Sequence, residues 1–386
     1  MKILIIHNTY QHKGGEDMVM LLERSLLEKY GHELYDYFVS NDSIKGPYQM
    51  IKTFINITYS NHQKDKISEC LQKINPDIVH VHNFFPLITP SVFDACIENE
   101  IPVVHTLHNY RLICPSALLM HNNKIYEKSI LKNAFATVAD KVYRDSYFGT
   151  YAVARMIEYH KRNKTWETKV SQFIALTDFA KSKFIETGFL DHTISVKPNF
   201  VDDYGADNKK EDYFLFIGRL SEEKGIDLLL NTFMHNGEPL QIIGNGPKEK
   251  RVINIASKYT NITYLGFQDK VFIMQKLKKA RALIFPSICY ETFGMAIIEA
   301  FSAATPVIGP NIGAPNEIIN HKENGLIYEV GDMEDLNHKI SLFNNEVSLQ
   351  KKLSKGARSS YELKYTAEKN YNILMDIYKK VINEKA

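Results

Sequence analysis

At 386 residues the chain exceeds what one hydrophobic core usually supports, so two domains of ordinary size are expected. Lys plus Arg number 47 against 45 for Asp plus Glu, a net charge of +2, which gives no global electrostatic reason to expect nucleic acid and leaves charge effects to local patches. No apolar run approaches the roughly 20 residues that span a bilayer, no zinc spacing is present, and Cys70, Cys96, Cys114 and Cys289 read as reduced thiols of a cytosolic protein.

The stretch from Met1 to Ile6 is too short for the apolar region of a signal peptide, and Ile3 to Ile6 reads as a first buried strand. Gly14-Gly15-Glu16 follows, a loop whose backbone can approach a ligand, and a helix is expected from about Asp17 to Lys29. Strands at Ile78 to Val81 and Val103 to Leu107 alternate with helical stretches, which implies a parallel sheet covered by helices. His80 and His82 alternate at the end of one strand, and His105 and His108 flank the end of the next. His82 and His108 are thus placed to converge above the sheet edge, where imidazoles bind a metal or a sugar hydroxyl. His80 and His105 read as hydrogen-bonded core residues, and His108 as a functional one. From Lys124 to Lys169, ten cations to five acids interleave with Ile130, Leu131, Phe135, Val138, Tyr147, Phe148 and Tyr151. That pattern fits a helix lying on anionic lipid, and equally a solvated helix packing its apolar side inward.

Lys197 to Asp212 is polar, carries Pro and Gly, and reads as a linker with the domain boundary near residue 200. The strand rhythm then repeats at Tyr213 to Ile217, Leu240 to Ile243, Ile262 to Leu265, Ala282 to Phe285 and Pro306 to Ile308, giving a second α/β domain. After the first of these, Arg219 and Lys224 are bracketed by Gly218 and Gly225: Arg219 can grip phosphate oxygens in bidentate fashion and Lys224 can add a point charge. Surface pairing with Glu222 and Glu223 is the alternative. A second glycine turn, Gly244-Asn245-Gly246-Pro247, follows the next strand. Thr292-Phe293-Gly294 opens a helix from Met295 to Ala304, whose first amides favour a diphosphate. Glu291 lies before that helix and Glu299 on it; carboxylates only accept hydrogen bonds, so a polyhydroxylated ligand suits both. In the tail, Tyr371, Leu374, Met375, Tyr378, Val381 and Ile382 recur at helical spacing and need a surface to cover.

The spacing Glu291-x7-Glu299 after Phe285-Pro-Ser, together with Ile217-Gly-Arg219-Leu-x3-Lys224-Gly, Ile243-Gly-Asn-Gly246-Pro and Val196-x-Pro-Asn199-x-Val-Asp202, resembles glycosyltransferase family 4 (group 1), retaining transferases of the GT-B fold. Gly14-Gly15-Glu16, Val79-His-Val-His82-Asn and Thr106-Leu-His108-Asn-Tyr110-Arg111 resemble its amino-terminal counterparts. The resemblance implies two Rossmann-like domains facing each other across a cleft: an acceptor-binding domain over 1–200, a nucleotide-sugar-binding domain over 201–370, and a carboxy-terminal helix, 371–386, packing back on the first domain.

Residue by residue, the resemblance gives Glu299 the ribose hydroxyls and Arg219 and Lys224 the diphosphate. Glu291, with Thr292, Phe293 and Gly294, takes the donor sugar and phosphate, His108 reaches over the donor sugar, Gly15 lies against the phosphate, Gly246 belongs to the donor-binding set and Asn199 lies near the cleft floor. No metal and no cofactor is expected, because lysine and arginine stand where a divalent cation otherwise would. The implied activity is that of a hexosyltransferase moving a sugar from a UDP- or GDP-type donor to a saccharide hydroxyl. The acceptor is expected to be lipid-linked, in bacterial surface polysaccharide synthesis, with the enzyme cytoplasmic and peripheral on the inner membrane face through 124–169. A nucleotide-sugar epimerase of the same fold and a non-catalytic nucleotide-sugar-binding subunit are the alternatives. A metal-dependent hydrolase built on His80, His82 and His108 ranks below both.

Overall fold

The computed structural model describes residues 1–10, 14–207 and 209–385. They divide into two compact units: residues 1–121, 126–198 and 370–386 form the first, and residues 122–125 and 199–369 the second.

In chain order the strands are β1 (Lys2–Thr9), β2 (Glu33–Ser40), β3 (Ile78–Asn83), β4 (Val103–Thr106), the short β5 (Met120–His121) and β6 (Lys124–Ile125), β7 (Gln172–Ala175) and β8 (Ile194–Val196). The first unit's sheet runs β2-β1-β3-β4-β7-β8, all parallel. β3, β4 and β7 are buried along their whole length, as strands covered on both faces must be. The order reverses direction between β1 and β3, the topological switch at which open α/β sheets place ligands beyond the carboxyl ends of their strands. The final helix, Ala367–Lys385, belongs mostly to this unit. Its Leu374, Met375, Tyr378 and Val381 pack with Ile3, Ile5, Met20, Ile78 and Val104 in one core cluster.

The second unit repeats the plan with β9 (Phe214–Ile217), β10 (Leu240–Ile243), β11 (Ile262–Tyr264), β12 (Ala282–Ile284), β13 (Val307–Pro310) and β14 (Gly325–Tyr328), in the order β11-β10-β9-β12-β13-β14, again parallel. Here the switch falls between β9 and β12, whose following loops carry the motifs singled out above.

Two expectations change. The segment 124–169 is not one helix. It breaks into Lys128–Leu131, a 3-10 turn Ala134–Asp140, the helix Tyr147–Arg162 and the turn Thr165–Thr168, with left-handed backbone at Lys141, Arg144, Asp145 and Lys164. Asn133 and Ser146 side chains accept backbone N–H groups and start the 3-10 turn and the long helix, so the polar residues between the apolar ones act as caps. Lys197, read as the start of a linker, is only 1% exposed and paired with Glu23.

Candidate active site

In the second unit the site is built where β9 and β12 end side by side. Gly225 makes this possible. Its φ is +68°, and a Cβ there would lie 1.8 Å from the carbonyl oxygen of Pro286, so only glycine lets the loop after β9 lie against the loop after β12. The backbone N–H of Ile288 donates to the carbonyl of Glu223 at 3.0 Å, and Ser287 Oγ lies 3.0 Å from the same oxygen, so the two loops are held together.

Lys224 and Glu291 thereby meet. Lys224 Nζ lies 2.6 Å from Glu291 Oε1, and Ser287 Oγ donates to the same oxygen at 2.7 Å. Burial works against the Lys224 charge, but Glu291 outweighs it and holds the ammonium above its usual range. The alternative pairing with Glu222 and Glu223 does not form among the described residues: Glu222 pairs with Lys248, and Glu223 accepts from Ser221. Arg219 is exposed and makes no ion pair among the described residues. Glu299 sits in the helix Met295–Ser302, and Gly294, at φ +112°, is its N-cap, so Glu291 lies outside the helix. Lys270, at the start of the helix Lys270–Lys279, forms an ion pair with Glu299. Phe293 is buried, and Thr292 and Gly294 are half-buried. Gly246 stands on the turn after β10, where a Cβ would lie 2.6 Å from the Leu220 carbonyl. Asn199, at the start of this unit, is buried, with no hydrogen-bond partner for its Oδ1 among the described residues.

The first unit carries a different set. Gly15 is the first residue of the helix Gly15–Lys29, and Gly14 N–H donates to Asp17 Oδ2 at 2.8 Å while His7 Nε2 lies 2.8 Å from Asp17 Oδ1. Glu16 accepts from Asn109 at 3.2 Å; burial first and the neighbouring Asp17 second push its carboxyl up to about 8. His82 and His108 do converge, with Nδ1 of the former 3.0 Å from Nε2 of the latter. His80 lies between Tyr378 OH at 2.6 Å and Thr106 Oγ1 at 2.7 Å, and His105 Nδ1 is 2.8 Å from the Val81 carbonyl. Burial depresses all four, to about 4 for His80 and His105 and well below the usual value for His82 and His108.

Glu23, His80 and His82 bring three ligand-type atoms within 4.8 Å of one another. The rings of His80 and His82 stack at 4.1 Å and 29°, which aims their in-plane lone pairs side by side rather than at one point. Lys197 Nζ, 2.6 Å from Glu23, already supplies a cation. The geometry is that of an ion-pair network rather than a tetrahedral cage.

Sequence reasoning missed Lys270, Ser287, Asp17, Glu23 and Lys197. Two of them left a signal: Ser287 ends the Phe285-Pro-Ser run, and Glu23 interrupts the buried stripe Val19, Met20, Leu26 and Leu27, where a charge demands a buried partner.

Residues 202–360 match the family of glycosyl transferases group 1, and residues 27–203 match Glycosyltransferase Family 4, so the two matches together run from 27 to 360. The chain belongs to the family 4, group 1 glycosyltransferases. N-acetyl-alpha-D-glucosaminyl L-malate synthase of Bacillus anthracis is 23% identical over 412 residues, covering 100% of this chain and 98% of that protein. O-antigen chain mannosyltransferase C of Escherichia coli is 27% identical over 184 residues, 46% of this chain and 48% of that protein. Among solved structures, Anabaena HepE in complex with UDP superposes with a TM-score of 0.70 at 15% identity, covering 98% of this chain and 100% of that one. The two parallel-sheet units are those of the GT-B fold, and the family member is an enzyme, a hexosyltransferase.

Proposed function

We propose that this glycosyltransferase moves a sugar from a UDP- or GDP-type donor to a saccharide hydroxyl with retention of anomeric configuration and without a metal. The observation that supports the reading is the convergence of Lys224, Glu291 and Ser287 at the ends of β9 and β12, with Arg219 on the same loop after β9 and Glu299 one helix turn inside the next element. Arg219 and Lys224 take the diphosphate and neutralise it as it leaves, aided by the first amides of Met295–Ser302. Glu299 accepts the ribose hydroxyls, with Lys270 as its counter-ion. Glu291 accepts from the transferred sugar and opposes the positive charge that develops on it. Thr292, Phe293 and Gly294 line the same segment, and Gly246 and Asn199 complete the donor side. Gly15 and His108 keep the phosphate and sugar contacts that the family resemblance gives them. The departing phosphate oxygen takes the acceptor's proton on the same face, so no enzymatic base is required. Release of nucleoside diphosphate is expected to survive chelator and to collapse in Glu299→Ala and Arg219→Ala; undiminished turnover in both would sink the assignment. Product formed without acceptor would instead identify an epimerase.

The acceptor we propose is lipid-linked and the work site a membrane surface, in polysaccharide synthesis, as the name of the E. coli relative suggests. No helix among the described residues is long and apolar enough to cross a membrane. The helix Tyr147–Arg162 buries Ala152, Val153, Met156 and Ile157 but exposes Tyr147, Phe148 and Tyr151, with Leu131 also bare and Lys141 over the Tyr147 ring. Aromatic and basic side chains together suit an anionic interface. Co-sedimentation with phosphatidylglycerol vesicles that Phe148→Ser leaves unchanged would remove this surface from the reading.

A further inference from the structure

A cavity of about 200 Å³ lies in the first unit, between the helix Tyr147–Arg162 and the segment 187–193 that leads into β8. Leu112, Ile113, Ile157, Trp166 and Phe189 are its apolar walls, and all five are buried. An apolar cavity of about 150 Å³ takes up benzene, so this one has room for a chain of roughly eight carbons. Leu112 also lines a smaller cavity beside His82, Asn109 and Arg111; the two share that wall, and the larger one includes no member of the histidine cluster.

Two of the residues that line it carry buried polar atoms with nothing to bond. Trp166 and Ser129 are 5% and 6% exposed, and neither Trp166 Nε1 nor Ser129 Oγ has a hydrogen-bond partner among the described residues. The indole is packed against the rings of Phe84, Phe93 and His160, so it is not free to turn towards one. A buried donor without an acceptor is costly, and a ligand that brings an acceptor removes the cost. Lys161, Arg162 and Lys164 also line the cavity, all three exposed and in no ion pair among the described residues, whereas their neighbour Lys169 is paired with Asp94. Lys161 and Arg162 offset the dipole in the last turn of their helix. That reason does not reach Lys164, which lies past the helix end at φ +52°, a backbone conformation that costs a lysine some strain. The acids are fewer: Glu158, which accepts from the Ala134 N–H at 2.6 Å, and the exposed Glu167.

We propose that this cavity binds the phosphate monoester of a single apolar chain. The chain fills the apolar volume, the ester's oxygens accept from Trp166 and Ser129, and the phosphate meets Lys161, Arg162 and Lys164. A phosphate monoester carries about −1.5 to −2 at pH 7, which suits three cations against two acids better than the single charge of a carboxylate. The apolar walls are buried, so the occupant is one chain drawn into the protein and not a bilayer lying on it. The site stands apart from the donor chemistry proposed above and does not depend on it.

Trp166 is the chain's one tryptophan, so its emission reports on this cavity. Full-length protein is titrated with octyl phosphate below its micellar concentration, and in parallel with octanoate, octanol and inorganic phosphate. Octyl phosphate is expected to give a saturable emission change and to bind roughly threefold or more tighter than octanoate or octanol, with no change from inorganic phosphate. No response to millimolar octyl phosphate overturns the site, and equal binding of octanoate overturns the phosphate head. A response to phosphatidylglycerol vesicles in place of the monomer would mean a membrane surface and would also overturn the proposal. Lys161→Gln/Lys164→Gln changes only exposed side chains, so folding is not at stake; it should weaken octyl phosphate roughly 2- to 30-fold, more at low salt, and leave octanol unchanged. Ser129→Leu gives up no hydrogen bond and puts a branched side chain into the cavity, so saturable binding should disappear. A Ser129→Leu protein that is folded by circular dichroism and binds like wild type overturns the assignment.

Discussion

Glu291→Gln is expected to separate nucleotide binding from sugar transfer, because Glu291 holds Lys224, the proposed diphosphate ligand, and is itself proposed to face the transferred sugar. The substitution keeps the shape and one accepting oxygen for Ser287, but removes the charge that neutralises Lys224 at 2.6 Å. Two unit charges 4 Å apart interact by about 4 kcal/mol at an effective dielectric of 20 and about 1 kcal/mol in water. The Lys224 side chain is 29% exposed and that of Glu291 13%, so the pair lies towards the screened end, about 1–2 kcal/mol. Once released, Lys224 is available to the diphosphate, and binding of UDP or GDP should tighten by roughly 5- to 30-fold. Transfer should move the other way. Loss of a preorganised group facing developing charge costs about 10²- to 10³-fold in kcat. Titration calorimetry with UDP and GDP in physiological salt measures the first effect, and nucleoside diphosphate release the second. Weaker nucleotide binding in Glu291→Gln would show that Glu291 does not hold Lys224 back, and unchanged turnover would show that it does not face the reacting sugar.

Other outcomes follow from the same contacts. Lys224→Ala removes a charge-assisted contact of about 1.5–3 kcal/mol and should weaken UDP binding roughly 10- to 150-fold, with a shallower salt dependence in the same titration. Gly225→Ala places a methyl group against the Pro286 carbonyl at a positive φ, and urea unfolding should show a loss of at least about 3 kcal/mol, whereas a change within about 0.5 kcal/mol would mean the loops are not packed as described. Acid should destabilise the first unit early. Unfolded histidines take up protons as pH falls through about 6.5, but buried His80, His105 and His160 do so only near 4, so stability is full above that window and drains away across it. A melting midpoint that stays flat from pH 7.5 to 5 would contradict this. Glu16 acts in the opposite sense: its carboxyl, raised to about 8, favours the folded state at low pH and loses that contribution as pH climbs from the ordinary carboxyl range towards 8. Glu16→Gln should therefore raise the melting midpoint at pH 8 and leave it little changed at pH 5.

What the sequence disclosed and what it hid divide along physical lines. β3, β4, β9 and β12 were legible as apolar runs because parallel strands covered on both faces have no polar side to show. β2 escaped because it is an edge strand, Glu33–Ser40, with charged and aromatic residues alternating at partial exposure. β7 and β8 escaped because four and three residues are too few to show any period. In the candidate site, the placement of Lys224 and Glu291 at neighbouring strand ends was legible from spacing, since each loop is short enough that sequence position fixes spatial position. Lys270, the partner of Glu299, was not, because nothing local to either residue encodes a pairing between two helices. Lys197 was misread for a related reason. Its sequence neighbours are linker-like, and only Glu23, 174 positions away, explains its burial.

The lysine partners of both glutamates change what the Glu291–Glu299 spacing means. Glu291 holds Lys224 and Glu299 holds Lys270, so the two carboxylates are charge-balanced without a ligand. A free carboxylate in a half-buried site would be costly to maintain, and the lysines remove most of that cost. The same pairing sets a condition on what binds. An anion that draws Lys224 away leaves Glu291 short of a partner unless hydroxyl donors arrive with it. A nucleotide sugar brings both, the diphosphate for the cation and the sugar hydroxyls for the carboxylate, and the exchange leaves no group unsatisfied. Inorganic diphosphate brings only the first. It should bind more weakly than a nucleoside diphosphate sugar, even though its charge is greater, and removing Glu291 should narrow that gap by favouring the bare anion. Charge alone would predict the reverse order, so competition between pyrophosphate and UDP-glucose for the wild-type protein decides whether the carboxylates select the ligand or merely tolerate it.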